Sequence, residues 1–296
     1  MTLTALSATS LDQLSDEARE LLQGSVDIHT HAAPDPYTER RTDSRELVRL
    51  AREAGMGGVV LKSHDYATQP IAWALDTEFD GIDVYGSLSL DHGVGGLNAD
   101  AVAVSLKIGA RVVWMPTFDS ASYRDRGGRF FSKGEGIPII DDAGALLPAC
   151  HDVLDVIAEH DAVLASGHIS PQETLSLLTE ARRREIRTVI THASFGIPLE
   201  IQQELAEAGC YIEHCGLAAY RADDGESVRS IAEQIRSVGP EHIIASTDLG
   251  QINNPPPPLG MGIWIQCLLE EGIDAAAVGQ MVRDNPRALL GGPPAY

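Results

Sequence analysis

Short apolar segments alternate with longer amphipathic segments along almost the whole chain. Eight of the apolar segments have the length and composition of strands, and each precedes a segment whose apolar residues recur at helical spacing. Several strand segments, such as Val112–Met115, are continuous apolar runs, which is typical of strands buried on both faces. This regular alternation of strands and helices predicts a parallel sheet.

The pattern also places each predicted element along the chain. Strands are predicted at Val26–Thr30, Gly58–Ser63, Asp83–Leu90, Arg111–Pro116, Ala162–Ala165, Thr188–Thr191, Cys210–Glu213 and His242–Ser246. Helices are predicted between and after them at Ser44–Ala54, Gln69–Phe79, Ala99–Ile108, Pro148–His160, Pro171–Arg184, Pro198–Ala208 and Ser227–Val238. Further helices are predicted before the first strand at Leu11–Gln23 and after the last strand at Gly262–Glu271 and Ala275–Arg283.

A closed barrel fits this order of elements better than an open sheet. An open doubly wound sheet usually has a Gly-x-Gly-x-x-Gly turn after its first strand, and this chain has none there. A (β/α)8 barrel typically needs about 250 residues, so one fits within the 296 residues of the chain. We expect an α/β fold, a (β/α)8 TIM barrel with N- and C-terminal helical extensions, which forms a single domain over residues 1–296. Residues 1–24 would hold the N-terminal helix, and residues 117–145 a long, lid-like loop.

Four of the predicted strands end in residues that can bind a metal ion. The first strand runs into His29 and His31, whose spacing places both side chains on one face of a strand. The fifth, sixth and eighth strands run into His168, His192 and Asp248. In a barrel, the carboxyl ends of all strands meet at one mouth. Imidazole nitrogens combined with a carboxylate suit Zn²⁺, with Mn²⁺ or Fe²⁺ as alternatives.

This set of strand-end residues resembles the signature of the amidohydrolase superfamily. The C-terminal segment Asp284–Leu290 is also similar to the Asn-Pro-x-x-Leu ending of its compact members, so the resemblance covers nearly the whole chain. No separate flanking β-sandwich domain is predicted, which points to a compact branch. The resemblance implies metal-ligand roles for His29, His31, His168 and Asp248.

The resemblance further implies a metal-dependent hydrolase. A bound metal ion would lower the pKa of a water molecule, and the resulting hydroxide would attack the carbonyl carbon of an amide, cyclic amide, lactone or ester. Asp248 would act as general base and then as general acid, while His192 would either bind a second metal ion or polarise the substrate carbonyl. Three alternatives stay open: a mononuclear non-oxidative decarboxylase, a non-catalytic barrel with a closed structural metal site, and phosphoester hydrolysis, which needs cationic groups near two metal ions. All of the enzyme alternatives imply a small-molecule substrate.

The number of metal ions depends on Lys62. Binuclear members of the superfamily often carry a carboxylated lysine or a glutamate on the fourth strand, and Val112–Pro116 contains neither. The site is then either mononuclear or bridged from another strand, for which Lys62 on the second strand is the best candidate. On a strand, Val60, Lys62 and His64 share one face. Lys62 could instead anchor a substrate carboxylate or have a structural role, so the sequence allows one ion or two.

Four residues near the predicted mouth are candidates for substrate binding: His64, Arg124, Arg126 and Arg129. The three arginines lie in the loop 121–136, and long loops in compact domains are often lids. Arginine binds carboxylates through paired hydrogen bonds, so the loop could hold a substrate carboxylate. The alternative is an exposed loop that pairs with the acidic surface or with a neighbouring subunit. A second loop contains Pro255–Pro258, which we expect to be stiff and extended and to form a wall of the pocket.

Composition narrows the classes of partner. The net charge of −21 argues against nucleic acid and against an anionic membrane, because both need a positive protein surface. No apolar run approaches the roughly 18 residues of a membrane span, and no signal peptide is recognisable. The four cysteines have no Cys-x-x-Cys spacing, which favours free thiols in a reducing compartment. We therefore expect a cytoplasmic protein, and a homo-oligomer stays open.

Overall fold

Eight parallel strands form the centre of the fold. The structure, a computed structural model, describes residues 5–128, 132–220 and 228–294. The strands follow one another around the sheet in chain order, from β1 to β8. Their bounds are β1 Val26–His31, β2 Gly58–Lys62, β3 Asp83–Ser89, β4 Ala110–Trp114, β5 Val163–Ala165, β6 Arg187–Ile190, β7 Tyr211–Cys215 and β8 Ile243–Ser246. Consecutive order with parallel pairing is the arrangement of a (β/α)8 barrel.

A layer of helices surrounds the strands. The helices are α1 Asp16–Leu22, α2 Ser44–Glu53, α3 Gln69–Glu78, α4 Ala99–Lys107, α5 Ala121–Asp125, α6 Pro148–Glu159, α7 Pro171–Arg183, α8 Leu199–Glu207, α9 Val228–Val238, α10 Pro257–Glu270, α11 Ala275–Gly279 and α12 Asn285–Leu290. A helix connects every strand to the next, α1 precedes the barrel, α5 lies within the β4–α6 connection, and α10, α11 and α12 follow β8. The predicted α/β fold, a (β/α)8 TIM barrel with helical extensions at both ends, is therefore confirmed.

Hydrogen bonds between β1 and the segment after β8 close the barrel. The backbone N–H of Asp248 donates to the carbonyl of His29 at 2.9 Å, and the N–H of His31 donates to the carbonyl of Leu249 at 2.8 Å. These bonds form beyond the end of β8, at the mouth of the barrel. The closure therefore brings Asp248 directly beside the two histidines of β1.

The carboxylate of Asp27 reinforces this seam. It accepts a hydrogen bond from the Thr247 hydroxyl at 2.6 Å, and others from the backbone N–H groups of Thr247 and His29 at 3.1 Å each. Asp27 is completely buried. Burial raises the pKa of its carboxyl group to about 7, although the three hydrogen bonds oppose this rise. Its carboxylate thus links the two edges of the sheet from within the protein.

A β-bulge in β1 determines which residues face the mouth. Asp27 pairs with Val59, but Thr30 pairs with Leu61, so β1 contains one residue more than β2 between these two pairs. Ile28 packs into the apolar interior of the barrel, while His29 contacts polar groups at the mouth. A bulge commonly redirects side chains beside a functional site, and this one turns His29 and His31 inward together.

The barrel interior below the mouth is filled with apolar side chains. Alternate residues of the strands form this cluster: Val26, Ile28, Val60, Tyr85, Val112, Trp114, Val163, Ala165, Val189 and Ile244. Leu289 and Leu290 of α12 complete it from the C-terminal end of the chain. Asn285 anchors α12 because its side-chain amide donates to the carbonyls of Pro240 and Ile243. The Asn-Pro-x-x-Leu segment therefore has a structural role here.

Two local predictions were wrong. The N-terminal helix is shorter than Leu11–Gln23, because Ser15 accepts a hydrogen bond from Ala18 and starts the α-helix there. Pro255–Pro258 is not extended throughout, since Pro257 and Pro258 form the first turn of α10. Proline is well suited to that position because the first turn of a helix has no partner for its N–H groups.

Neither a membrane span nor a disulfide bond is part of the described fold. In the part of the chain that the structure describes, no helix combines the length and the apolar character that a membrane span requires. All four cysteines are buried free thiols: Cys150, Cys210, Cys215 and Cys267.

We predict that Thr247→Val destabilises the protein more than an equally buried Thr→Val change elsewhere. Above pH 7, where the Asp27 carboxyl group is ionised, the substitution removes a hydroxyl donor from a buried carboxylate, and a hydrogen bond to a charged group contributes roughly 1.5–3 kcal/mol to the free energy of unfolding. Thr174→Val is the matched control, because Thr174 is also fully buried but donates to the neutral carbonyl of Ser170. Urea unfolding measures both losses, and equal losses would contradict a special role for the seam.

Candidate metal centre

Three potential metal ligands lie together at the mouth of the barrel. Nε2 of His29 and Nε2 of His31 are each 3.1 Å from Oδ1 of Asp248. The two histidines are at most 2% exposed and Asp248 is 9% exposed. This group satisfies the spacing that a single metal ion requires, since one ligand atom from each residue lies within 4.8 Å of the others.

His168 and His192 form a second pair beside this group. Their Nε2 atoms face each other at 3.0 Å, and the His192 ring stacks on that of His29 at a centroid distance of 5.9 Å. Burial lowers the pKa of His192 to about 4. Nδ1 of His168 is buried and has no hydrogen-bond partner among the described residues. The two facing Nε2 atoms would both be available to one cation, whereas Nδ1 lies on another edge of the same ring.

The backbone is strained at two of these residues. His192 has φ = +29° and Asp248 has φ = +52°, both in the left-handed region that non-glycine residues rarely adopt. Each lies two residues after the end of its strand, β6 or β8, and its side chain lines the cavity at the mouth. Strain of this kind costs of order 1–3 kcal/mol and clusters at functional sites.

Lys62 lies beside the first group, next to His29. Its Nζ is 3.0 Å from Nε2 of His29 and lies over the ring of Trp114, 5.2 Å from the centroid. The residue is 3% exposed, and burial lowers the pKa of its ammonium group. As an ammonium group, Lys62 would donate to the same nitrogen of His29 that faces Asp248. Lys62 and a metal ion therefore compete for this nitrogen unless the lysine changes its chemical form.

Glu213 on β7 was not among the predicted site residues, yet it orients His29. Its carboxylate accepts from Nδ1–H of His29 at 3.1 and 3.2 Å, from the backbone N–H of His192 at 2.8 Å and from the Ser246 hydroxyl at 2.7 Å. With Nδ1–H held by Glu213, a neutral His29 imidazole would present the lone pair of Nε2 to the ligand group. The sequence shows that Glu213 lies near the end of a strand, as the predicted ligands do. Only the fold shows that it contacts His29.

The charges around His29 favour a cation. Burial and the nearby Lys62 oppose its protonation, but the carboxylates of Asp248 and Glu213 outweigh them and raise the pKa of His29 to about 9. Glu213 itself has a pKa lowered to about 2, because His29 and its other donors overcome the effect of burial. Two ionised carboxylates thus lie beside His29 in a buried site, and the nearby donor set of two imidazoles and one carboxylate (His29, His31 and Asp248) fits a divalent metal ion such as Zn²⁺.

Arg40 is a second residue that sequence reasoning missed. Its guanidinium forms a buried ion pair with Asp35 at 2.6 Å, and the side chains are 4% and 5% exposed. Its Nη2 is also 3.4 Å from Nδ1 of His31. Burial and this positive charge lower the pKa of His31 to about 3, which keeps the imidazole neutral. Nothing in the local sequence marks Arg40, because the Asp35 pair forms within an irregular loop.

A cavity of about 710 Å³ opens above the ligand group. His31, His168, His192 and Asp248 all contribute to its lining. His64 lines it as well, with its ring stacked on Phe118 at 3.9 Å and its Nδ1 at 2.7 Å from the Thr117 hydroxyl. The candidate ligands are therefore accessible to a small molecule.

Two of the three arginines predicted in the loop after β4, Arg124 and Arg126, have different surroundings in the structure. Arg124 does not line the cavity: its guanidinium pairs with Asp119, its side chain is 10% exposed, and it also contacts Ser132. Substrate binding by Arg124 stays a prediction, and in this structure its charge is paired with that of Asp119 within the loop. Arg126 does line the cavity and donates to the backbone carbonyl of His168 at 3.3 Å. Arg129 lies outside the described residues.

The comparisons with known proteins agree with this fold. Residues 24–213 match the family described as Family of unknown function (DUF6282). Among solved structures, the chain is similar to an amidohydrolase from Pseudomonas aeruginosa, with a TM-score of 0.65, 12% identity, and coverage of 92% of this chain and 98% of that one. No curated protein matches the chain by sequence.

Two further solved structures share the fold at similarly low identity. The dipeptidase AC, a metallopeptidase, has a TM-score of 0.60 and 12% identity, and the match covers 91% of this chain and 98% of that one. The 2,6-dihydroxybenzoate decarboxylase from Rhizobium has a TM-score of 0.55 and 13% identity, with coverage of 91% and 99%. The fold of this chain is thus the fold of amidohydrolase-superfamily structures, as the strand-end residues had suggested.

We predict that Glu213→Gln weakens metal binding. The change removes the negative charge behind His29, and loss of such a partner typically costs 10–100-fold in metal affinity. Glu173→Gln is the control, because Glu173 is also a buried carboxylate that accepts a backbone N–H but contacts no candidate ligand. Competition with a chelator of known affinity measures the effect, and unchanged zinc affinity in Glu213→Gln would contradict the assignment.

Proposed function

We propose that this chain, which belongs to the DUF6282 family, is a metal-dependent hydrolase that acts on a small molecule. One observation carries the proposal: His29, His31 and Asp248 converge within 3.1 Å contacts at the base of an accessible cavity. A structural metal site would be closed by its protein ligands. The open cavity above this group therefore favours catalysis over a purely structural metal ion.

The proposed substrate contains an amide, cyclic amide, lactone or ester bond. A metal ion bound here would lower the pKa of water and polarise the substrate carbonyl. The Asp248 carboxylate would accept the proton of the attacking water and then deliver it to the leaving group. The neutral His192 imidazole, beside the cavity, would either bind a second ion or stabilise the oxyanion with a hydrogen bond. Zn²⁺ is the proposed metal, with Mn²⁺ or Fe²⁺ as alternatives.

We propose that Lys62 acts as a carbamate that bridges two ions. The neutral amine would attack carbon dioxide, forming an N–C bond and releasing one proton, and the product is an anionic carboxylate on Nζ. An anion at this position would attract a cation to Nε2 of His29, whereas an ammonium group would repel it. The bridge would leave His29, His31 and Asp248 for one ion and His168 and His192 for the other.

A mononuclear decarboxylase is the second candidate. It is supported by the strand β4, whose inward-facing end is Trp114 rather than an acidic ligand. It is also supported by the shared fold with the Rhizobium decarboxylase. This candidate requires one metal ion and a cation that holds the substrate carboxylate, and Arg126 lies in the cavity wall.

Metal content per chain distinguishes the two candidates. We expect about two equivalents in the wild-type protein grown with zinc, and one equivalent or less in Lys62→Ala, because the bridge is lost. Lys107→Ala is the control, since Lys107 is exposed on α4 and far from the candidate ligands in the fold. Elemental analysis of the purified proteins gives the numbers.

Each other outcome has a defined meaning. One equivalent in both the wild type and Lys62→Ala would overturn the bridge and favour the decarboxylase. No metal in any sample, even after Zn²⁺ or Mn²⁺ is supplied, would overturn the metal-dependent function altogether.

We predict that Asp248→Asn abolishes most of the activity while the protein stays folded. Removal of a general acid–base group typically lowers the rate by 10²–10⁴-fold. The assay uses metal-loaded protein and a panel of carboxylate-bearing lactones, esters and cyclic amides. Acid release reports hydrolysis, and carbon dioxide release from aryl carboxylic acids reports decarboxylation. Equal rates for the wild type and Asp248→Asn would rule out the proposed role.

A further inference from the structure

Arg126 presents a positive charge at the rim of the cavity. Its Nη2 donates to the backbone carbonyl of His168, and a Cβ atom built on Gly196 would lie 4.0 Å from its Nη1. The guanidinium therefore lies between the exits of β5 and β6. No carboxylate among the described residues pairs with it, in contrast to Arg124 in the same loop, which pairs with Asp119.

Ser194 supplies an independent sign of a ligand at this rim. It lines the cavity, is 7% exposed, and its hydroxyl has no hydrogen-bond partner within the described parts of the chain. It lies two residues before Gly196, in the same turn that approaches Arg126. A buried hydroxyl without a partner costs free energy, and a bound acceptor group would satisfy it.

Aromatic rings form the walls next to these two groups. Tyr123 packs against His168 at 4.9 Å, and Phe195 meets His192 edge-on at 5.3 Å. Phe118 continues the wall beyond Tyr123 at 5.7 Å. All three aromatic residues line the cavity. Aromatic walls stack well on a flat, unsaturated ring and gain less from a puckered saturated one.

We propose that Arg126 and Ser194 form a subsite for the carboxylate of a planar, unsaturated ring acid. The guanidinium binds the carboxylate through charge-assisted hydrogen bonds, and the Ser194 hydroxyl donates one more. The ring stacks between the aromatic walls and directs its reactive group toward Asp248. This assignment of substrate class rests on the proposed function for its reaction, but the binding site itself is defined by residues that are not candidate metal ligands.

Calorimetric titration with three small probes tests the subsite. The probes are benzoate, its uncharged analogue benzamide, and the non-planar cyclohexanecarboxylate. The protein is tested both metal-loaded and after treatment with a chelator, so that binding to Arg126 is separated from binding of the carboxylate to a metal ion. We expect benzoate to bind in both forms, and about tenfold more tightly than either analogue, because each analogue lacks one feature of the proposed ligand.

Two variants and one control locate the interaction. Arg126→Met is expected to weaken benzoate binding at least tenfold, and Ser194→Ala about threefold, through loss of their hydrogen bonds to the carboxylate. Arg236→Met is the matched control, because Arg236 is an exposed arginine on α9 that also donates to a backbone carbonyl, that of Glu271. It should bind benzoate as the wild type does.

The outcomes separate the subsite from the proposed function. Unchanged benzoate affinity in Arg126→Met, binding seen only with metal, or no binding at all would overturn the subsite. Equal affinity for cyclohexanecarboxylate would overturn the planar part of the ligand. If benzoate binding depends on Arg126 while no metal is ever bound, the subsite stands and the metal-dependent function fails.

Discussion

The hydrogen bonds that join β1 to the segment after β8 set the geometry of the candidate centre. The carboxyl ends of the first and last strands lie close together only if the sheet closes into a barrel. Here the seam pairs the backbone of His29 with Asp248 and that of His31 with Leu249. Asp27 holds the seam from beneath through Thr247. The ligand group is thus a direct consequence of closure.

Burial makes this centre expensive in the absence of a cation. The buried site contains three ionisable side chains, those of Lys62, Glu213 and Asp248. Burying a charge costs free energy, and contacts with oppositely charged or hydrogen-bonding groups offset that cost. The left-handed backbone of His192 and Asp248 adds strain. Packing of the apolar barrel interior, and of the helices against the outside of the strands, offsets these costs. A metal ion would balance the negative charge that Asp248 and Glu213 bring together.

The loop after β4 gives two arginines different roles through their immediate neighbours. Arg124 pairs with Asp119 and holds the loop to the barrel, so its charge is already satisfied. Arg126 lies two residues further on, is exposed, lines the cavity and has only a backbone carbonyl as its described partner. The same residue type therefore pairs with a carboxylate at one position and lines the cavity at the other.

Local pattern determined the strands, most helices and the residues at the strand ends, because apolar periodicity and the spacing of His29 and His31 are properties of neighbouring residues. The β1 bulge, the contact of Glu213 with His29, and the burial of Arg40 against Asp35 were decided by the tertiary structure. Each depends on which distant segments meet when the barrel closes. A charge in the sequence has no defined partner until folding brings one within a few ångströms and removes the water between them.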